Sequence, residues 1–158
     1  MQQLNTMEDF QRDITYRVFK REDGAIALTA TLKDRFHDIL VEIVVDGATL
    51  AIGSARAEFR KSPTSDCRNV SARLELLNGF AIGKGLSRKL TEVLGGSEGC
   101  GNLRTLLLGL LPLALNVRAS AGYRDEGEML DAIHEQLVGI CAGYVRPLDR
   151  EKKPKERA

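Results

Sequence analysis

Residues 38–47 read DILVEIVVDG and carry the clearest secondary-structure pattern in this chain. Every second position from 39 to 45 is isoleucine or valine, which places these side chains on one face of a β-strand. Asp46-Gly47 follows at once, and such a pair is the strongest short hairpin signal because both central positions of a type I′ turn need positive φ. The stretch therefore predicts a strand over 38–45 that turns back into an antiparallel partner over 49–60.

The preceding segment repeats this pattern. Asp23-Gly24 separates a predicted strand at 13–21 from another at 25–33, so four antiparallel strands are expected. After Pro63 the apolar period becomes helical. The predicted helices are one that starts after Asp66 and ends at Gly79, one over 86–94, one that begins near 101 and breaks between 109 and 112, and one over about 127–142 with Leu130 on its packed side. The expected fold class is α+β, a four-stranded antiparallel sheet followed by about four helices packed on one face.

Length and composition favour one domain. The 158 residues and the apolar fraction of 43% suffice for one hydrophobic core. We place this domain at 13–145, with an N-terminal extension at 1–12 and a flexible tail at 146–158 that is almost wholly charged.

Charge and hydropathy favour a cytoplasmic protein without a nucleic-acid or membrane partner. The net charge of +1 gives no electrostatic reason to expect DNA, RNA or an anionic membrane. The apolar run at 105–117 is shorter than the roughly 20 residues that span a bilayer, so a buried helix is expected there. Residues 1–12 lack the basic segment, apolar stretch and cleavage site of a secretory signal.

The cysteines are the residues that indicate chemistry. Cys67, Cys100 and Cys141 are odd in number and far apart, which in a reduced chain favours free thiols or metal ligands over a disulfide framework. Cys100 opens the third predicted helix, shortly after the paired glycines that end the second. A thiol at a helix N-terminus lies near free N–H groups and the positive end of the helix dipole, which favours the thiolate for metal ligation or nucleophilic attack.

Counting chain reversals gathers these thiols at one end of the sheet. If successive elements run antiparallel, the Asp-Gly turns lie at one end, and His37-Asp38 lies at the other together with all three cysteines. Imidazole, carboxylate and thiolate groups suit zinc or an iron–sulfur cluster. The spacing matches no CxxC pair, HExxH helix or EF-hand loop, and small cysteines that serve only the core are the alternative.

Several short motifs follow one another along the chain: REDG at 21–24, HD at 37–38 before an apolar strand that ends at 46, the isolated Cys67, and GGSEGCGNL at 95–103. In these motifs residues 16–117 resemble the bacterial domain-of-unknown-function family 2889. The usual family pattern at the last motif is Gly-Cys-Thr-His-Leu, whereas this chain carries Gly101 and Asn102. If that histidine ligates a metal in relatives, Asn102 leaves a coordination position open or abolishes the site; as an alternative, Asn102 caps the third helix.

A more distant resemblance is to the NifU/SufE-like fold of iron–sulfur scaffold proteins, an antiparallel sheet followed by helices. Asp38, Cys67 and Cys100 fall at places comparable to an aspartate and two cysteines of that scaffold. The loops differ in length, and Phe36 stands near the place of the scaffold's first cysteine. This resemblance supports the architecture more than the activity.

These patterns predict an accessory protein that binds or handles a metal or an iron–sulfur cluster and is not itself an enzyme. Cys67 and Cys100 are the expected thiolate ligands, His37 or Asp38 completes the shell, and Asn102 and Cys141 are weaker candidates. The expected partner is a second copy or an iron–sulfur assembly protein. Two alternatives stay open: a thiol enzyme or sulfur acceptor with Cys100 as the nucleophile, and an interaction domain in which the cysteines are structural.

Overall fold

Four consecutive strands form one antiparallel sheet. The computed structural model describes residues 9–139 and 141–144. The strands are β1 (Arg12–Lys20), β2 (Ile26–Asp34), β3 (Asp38–Val45) and β4 (Ile52–Lys61), and each pairs with the next in the order β1-β2-β3-β4. The helices among these residues are a 3-10 helix (Ser65–Leu77), α1 (Leu86–Leu94), α2 (Gly101–Leu110), α3 (Leu113–Ser120) and α4 (Glu126–Leu137). The predicted α+β class and antiparallel sheet are confirmed.

The turn between β1 and β2 is a hairpin, but its predicted type I′ geometry is wrong. The Arg21 N–H donates to the Ala25 carbonyl oxygen (2.8 Å) and the Gly24 N–H donates to the Arg21 carbonyl oxygen (3.0 Å). These bonds close a loop of Glu22, Asp23 and Gly24, in which only Gly24 has positive φ (85°). A three-residue loop needs the left-handed conformation once, whereas the type I′ turn needs it twice.

The turn between β3 and β4 is longer than predicted. The Leu50 N–H donates to the Asp46 carbonyl oxygen (2.9 Å), and the left-handed residue is Leu50 (φ 60°) and not Gly47. The Asp46 carboxylate accepts from the Thr49 N–H (2.7 Å), the Thr49 hydroxyl (2.9 Å) and the Ala48 N–H (2.9 Å). These bonds hold the pKa of Asp46 below its usual value and satisfy the turn, so the type I′ prediction is wrong here too.

One face of the sheet carries the hydrophobic core. The odd-numbered residues of β3 are buried, and their register partners are buried in β2 and buried or partly buried in β4. The 3-10 helix packs on β4, α2 packs on β2, and α1 contacts both the 3-10 helix and α2. These helices therefore cover one face, as predicted. The largest fully buried side chains include Ile26, Leu28, Leu32, Ile39, Ile43, Leu50, Ile52, Leu74, Leu77, Leu90, Leu94 and Leu103.

The first predicted helix is a 3-10 helix and not an α-helix. Its two buried residues, Leu74 and Leu77, are three positions apart, and the 3-10 period of three places them on one line facing the core. Near its start Ser65 and Asp66 offer side-chain oxygens that compete for backbone hydrogen bonds, which weakens the α-helical alternative. The line of Leu74 and Leu77 faces the core where the 3-10 helix packs on β4.

The apolar helix is broken where the sequence predicts. α2 ends at Leu110 and α3 begins at Leu113, on either side of Pro112, which has no N–H for the helix ladder. Within the described chain, residues 101–120 are the one stretch long and apolar enough, by length and composition, to cross a membrane, with a mean hydropathy of 1.2. Core helices pass the same test, and 33% of the apolar window is buried in the protein.

The chain divides into two compact units between Arg118 and Ala119. The first unit holds the sheet, the 3-10 helix, α1 and α2. α4 belongs to the second unit, where the Asp125 side chain accepts from the Glu128 N–H (2.9 Å) as the N-cap. α4 ends at Leu137, earlier than predicted. None of its described side chains is buried, and Leu130, predicted on its packed side, is 48% exposed. The predicted charged tail at 146–158 lies outside the described residues.

Candidate functional site

Two of the predicted site cysteines line one cleft. It has a volume of about 530 Å³ and is formed by the beginning of the 3-10 helix and the loop that leads into α2. Cys67 and Cys100 both line it, and both are partly buried. The structure brings these two thiols to one place, as the count of chain reversals predicts. We call this the thiol cleft.

Backbone geometry holds Cys100 at the start of α2. Its N–H donates to the Leu94 carbonyl oxygen (2.9 Å) and its carbonyl oxygen accepts from the Arg104 N–H (3.0 Å), which makes it the N-cap residue. Its side chain makes no capping hydrogen bond. A side chain at Gly99 would collide with the Leu94 carbonyl oxygen, so glycine is required directly before the thiol. The thiol is thereby held beside the positive end of α2.

Cys67 lies in the first turn of the 3-10 helix, and its Sγ is 3.5 Å from the Thr64 hydroxyl oxygen. The cation of the thiol cleft is Arg73, whose Nε donates to the Val93 carbonyl oxygen (2.7 Å) and whose Nη1 is 3.3 Å from Glu98. The Glu98 side chain is 80% exposed, so this ion pair contributes little and the Val93 carbonyl is the main anchor of Arg73. The thiol cleft therefore offers two thiols beside an anchored guanidinium group.

Four side chains close a hydrogen-bonded ring beside the N-terminus of α2. Arg12 donates to Asp34 Oδ2 through Nε (2.8 Å) and Nη2 (2.7 Å), and to Asn102 Oδ1 through Nη1 (3.0 Å). His37 Nδ1 is 2.9 Å from Asp34 Oδ1, and His37 Nε2 is 3.1 Å from Asn102 Nδ2. These contacts agree with one another when Nδ1 carries the proton of a neutral imidazole and Nε2 accepts from the amide. We call these four residues the polar ring.

Asp34 is the most buried member of the polar ring, and its side chain has no exposed surface. Burial alone would raise its pKa. Hydrogen bonds from the His37 side chain, from the Phe36 N–H (2.8 Å) and from Arg12 outweigh burial, and the net effect holds the pKa of Asp34 well below its usual range. Asp34 is therefore ionised and paired with Arg12.

Arg12 and Asp34 were missed by the sequence reasoning. The predicted strands at 13–21 and 25–33 stop one residue short of both, whereas the observed register pairs Arg12 directly with Asp34. The spacing of Asp34 from Phe36 and His37 could have indicated its role. Its carboxylate accepts hydrogen bonds from the N–H groups of both residues (2.8 Å each). Aspartate often holds a turn in this way.

The other predicted ligands are arranged differently from the expected shell. Both imidazole nitrogens of His37 are engaged in the polar ring. Asp38 is the first residue of β3, beside a register shift between β3 and β4, and its register partners are Lys33 and Lys61. Its buried Oδ1 has no hydrogen-bond partner among the described residues. Within 9–139 and 141–144, no three His, Cys, Asp or Glu side chains form a group that could hold a metal ion. Cys67 and Cys100 thus line one cleft, but the described residues do not form a shell of three or four ligands around them.

The two weaker candidates have separate positions. Asn102 is the second residue of α2 and bridges Arg12 and His37, so the expectation that it caps this helix is wrong, because Cys100 is the N-cap. Cys141 lies in the second unit and is exposed.

Comparison with known proteins identifies a family but no characterised relative. Neither the curated proteins nor the solved structures contain a match to this chain. The family model described as a protein of unknown function (DUF2889) matches residues 10–115, which include the whole sheet, the thiol cleft and the polar ring. Since the match covers well over half of the 158 residues, the chain belongs to the DUF2889 family.

Proposed function

We propose that the thiol cleft takes up a soft metal ion as cargo, and that the protein is an accessory protein that holds and passes on this ion. The observation that carries the proposal is that Cys67 and Cys100 line one cleft. Thiolates are the side chains that soft metals prefer. Cys100 contributes its thiol from the N-cap position of α2.

Cargo binding agrees with the donor set better than a resident metal centre does. Two thiolates from the protein leave coordination positions for ligands from a donor or an acceptor, whereas a closed structural site uses four protein ligands. Zinc, or an iron–sulfur cluster shared with a partner, fits such an incomplete shell. We include in this proposal the resemblance to the NifU/SufE-like scaffold, which rests on the sequence positions of Asp38, Cys67 and Cys100.

Metal titration of the reduced full chain tests the proposal. We would measure Zn²⁺ binding under anaerobic conditions by competition with a chromophoric chelator, and iron–sulfur cluster formation by absorption after addition of ferrous iron and sulfide. The variants are Cys67→Ser and Cys100→Ser, with Cys141→Ser as the matched control because Cys141 is an exposed thiol of the second unit.

We expect one metal or cluster per chain, at least tenfold weaker binding in either cleft variant, and unchanged binding in the control. The proposal is wrong if the native chain binds neither probe. It is also wrong if a chain with both cleft cysteines replaced binds as tightly as the native chain does.

A second candidate is a sulfur acceptor in which Cys100 is the nucleophile. The observation that favours it is that Cys100 is an N-cap residue whose side chain makes no hydrogen bond to the α2 backbone. His37 does not supply a free base, because Asp34 and Asn102 engage both of its ring nitrogens. This candidate predicts that iodoacetamide alkylates Cys100 faster than the exposed Cys141 at neutral pH. Equal rates at the two thiols would count against it.

A further inference from the structure

The outer edge of β1 has no partner strand in the described part of the chain. β1 pairs with β2 on one side only, over all nine of its residues. Two of its apolar side chains are exposed, Ile14 by 39% and Phe19 by 55%. An open edge of this length is a template for another strand unless its side chains prevent pairing.

The backbone shows which groups of β1 are free. The Arg21 N–H donates to the Ala25 carbonyl oxygen, and the Arg21 carbonyl oxygen accepts from the Gly24 N–H. Both backbone groups of Arg21 therefore point toward the β2 side of the hairpin. Because this direction alternates along an antiparallel strand, the odd-numbered residues of β1 face β2 and the even-numbered residues face outward. An antiparallel strand added at this edge must therefore place residues whose own N–H and carbonyl groups are free opposite the even-numbered residues of β1.

We propose that β1 pairs with β1 of a second copy of this chain, antiparallel and centred on Thr15. In this register Ile14 lies opposite Tyr16 of the other copy, so even-numbered residues with free backbone groups face each other. Asp13 lies opposite Arg17, and the two-fold symmetry forms this pair twice. Opposite charges directly across a strand pair stabilise the pairing.

The charges of β1 favour this register over the neighbouring symmetric ones. Centring on Tyr16 sets Arg12 against Lys20, and centring on Arg17 sets that arginine against itself. Centring on Ile14 sets Asp13 against an uncharged threonine and forms no ion pair. The charges of this edge strand thus favour one register of self-pairing, in which the sheets of the two copies form one continuous sheet.

Charge exchange tests the dimer and its register. Sedimentation velocity and light scattering would be measured over a range of concentrations for the full chain, for Asp13→Arg, for Arg17→Asp and for the double variant. Asp23→Arg is the matched control, because Asp23 is an exposed aspartate in the hairpin loop outside β1. Circular dichroism confirms that each variant is folded.

We expect a native dimer, at least tenfold weaker association in each single variant, and recovery in the double variant, where the two charges have changed places. A mixture of the two single variants is expected to form a heterodimer. A monomeric native chain overturns the proposal, and so does a dimer that the single variants leave intact or the double variant fails to restore. The cysteine variants are expected to dimerise normally, so this result is independent of the proposed metal binding.

Discussion

Asn102 accepts a hydrogen bond from Arg12 and donates one to His37, so a single amide group joins β1 to the turn before β3. Each member of the polar ring satisfies its neighbours, and loss of one leaves another polar group without its partner. Such a loss costs more than loss of an exposed ion pair such as Arg56–Glu42, where both groups regain water. The polar ring is therefore expected to contribute to stability as well as to the placement of the α2 N-terminus.

Replacement of Asn102 by alanine tests this contribution. The variant leaves the part-buried His37 Nε2 without its amide partner, whereas the exposed Arg12 Nη1 regains water, so we expect the free energy of unfolding to fall by about 1 kcal/mol. Urea denaturation followed by circular dichroism measures the loss. Asn116→Ala is the control, because Asn116 is exposed on α3 and should change stability by less than about 0.5 kcal/mol. Equal effects of the two variants would contradict the role of the ring.

The low pKa of Asp34 predicts a pH dependence of stability. Because its pKa is lower in the folded than in the unfolded chain, Asp34 stabilises the fold above its unfolded value of about 3.9, and this contribution is lost as the pH falls through its folded pKa. Asp34→Asn removes the titration. We expect its melting temperature to lie below that of the native chain at neutral pH, and this difference to shrink as the pH falls from about 5 toward 2. Asp23→Asn is the control, because Asp23 has an exposed carboxylate. A difference in melting temperature between the native chain and Asp34→Asn that stays constant with pH would refute the low pKa of Asp34.

At the scale of elements, the loop between α1 and α2 places Cys100 through backbone contacts. The Gly95 N–H bonds to the Thr91 carbonyl oxygen (2.8 Å) and the Cys100 N–H bonds to the Leu94 carbonyl oxygen (2.9 Å), so the last turn of α1 defines where α2 starts. Gly99 fits against Leu94 only because it has no side chain. The position of the thiol is thus a property of the helix junction.

The glycines on either side of Cys100 provide a matched pair of variants. Gly99→Ala forces a methyl group against the Leu94 carbonyl oxygen, and we expect a loss of about 1–3 kcal/mol together with a changed alkylation rate at Cys100. Gly101 has no neighbouring atom in the way, and alanine favours a helix more than glycine does. Gly101→Ala should therefore leave stability unchanged or raise it by up to about 1 kcal/mol. Chemical denaturation of both variants checks this contrast, and similar losses in both would contradict it.

At the scale of the whole molecule, the first unit is stabilised by a core that the sheet shares with α2. Leu103, Leu106 and Leu107 are fully buried, which accounts for much of the apolar character of residues 101–120. Leu108, on the other side of the same helix, is 44% exposed. Part of the apolar composition of this stretch thus belongs to the core, and 33% of the apolar window is buried.

Adjacent leucines of α2 test this packing. We expect Leu107→Ala to reduce the free energy of unfolding by about 2–5 kcal/mol, because it removes buried methyl groups and leaves a cavity. Leu108→Ala removes the same atoms from a partly exposed position, and a loss below about 1 kcal/mol is expected. Equilibrium denaturation in aqueous buffer measures both, and equal losses would argue against α2 as the core helix.

Features that depend on residues close together in the chain could be predicted from the amino-acid sequence. The alternation in β3, the hairpins after Lys20 and Val45 and the break at Pro112 are encoded within one element or one turn, so local periodicity and backbone chemistry predict them. Counting chain reversals also brought Cys67 and Cys100 to the same end of the sheet.

The surroundings of those thiols depend on contacts between residues that are far apart in the chain. The polar ring joins residues 22, 65 and 90 positions apart, namely Arg12 to Asp34, His37 to Asn102 and Arg12 to Asn102. Whether such pairs meet depends on strand register and on the packing of α2 against β2, which no local pattern specifies. For the same reason the sequence pattern did not place His37 in the polar ring, where it contacts Asp34 and Asn102.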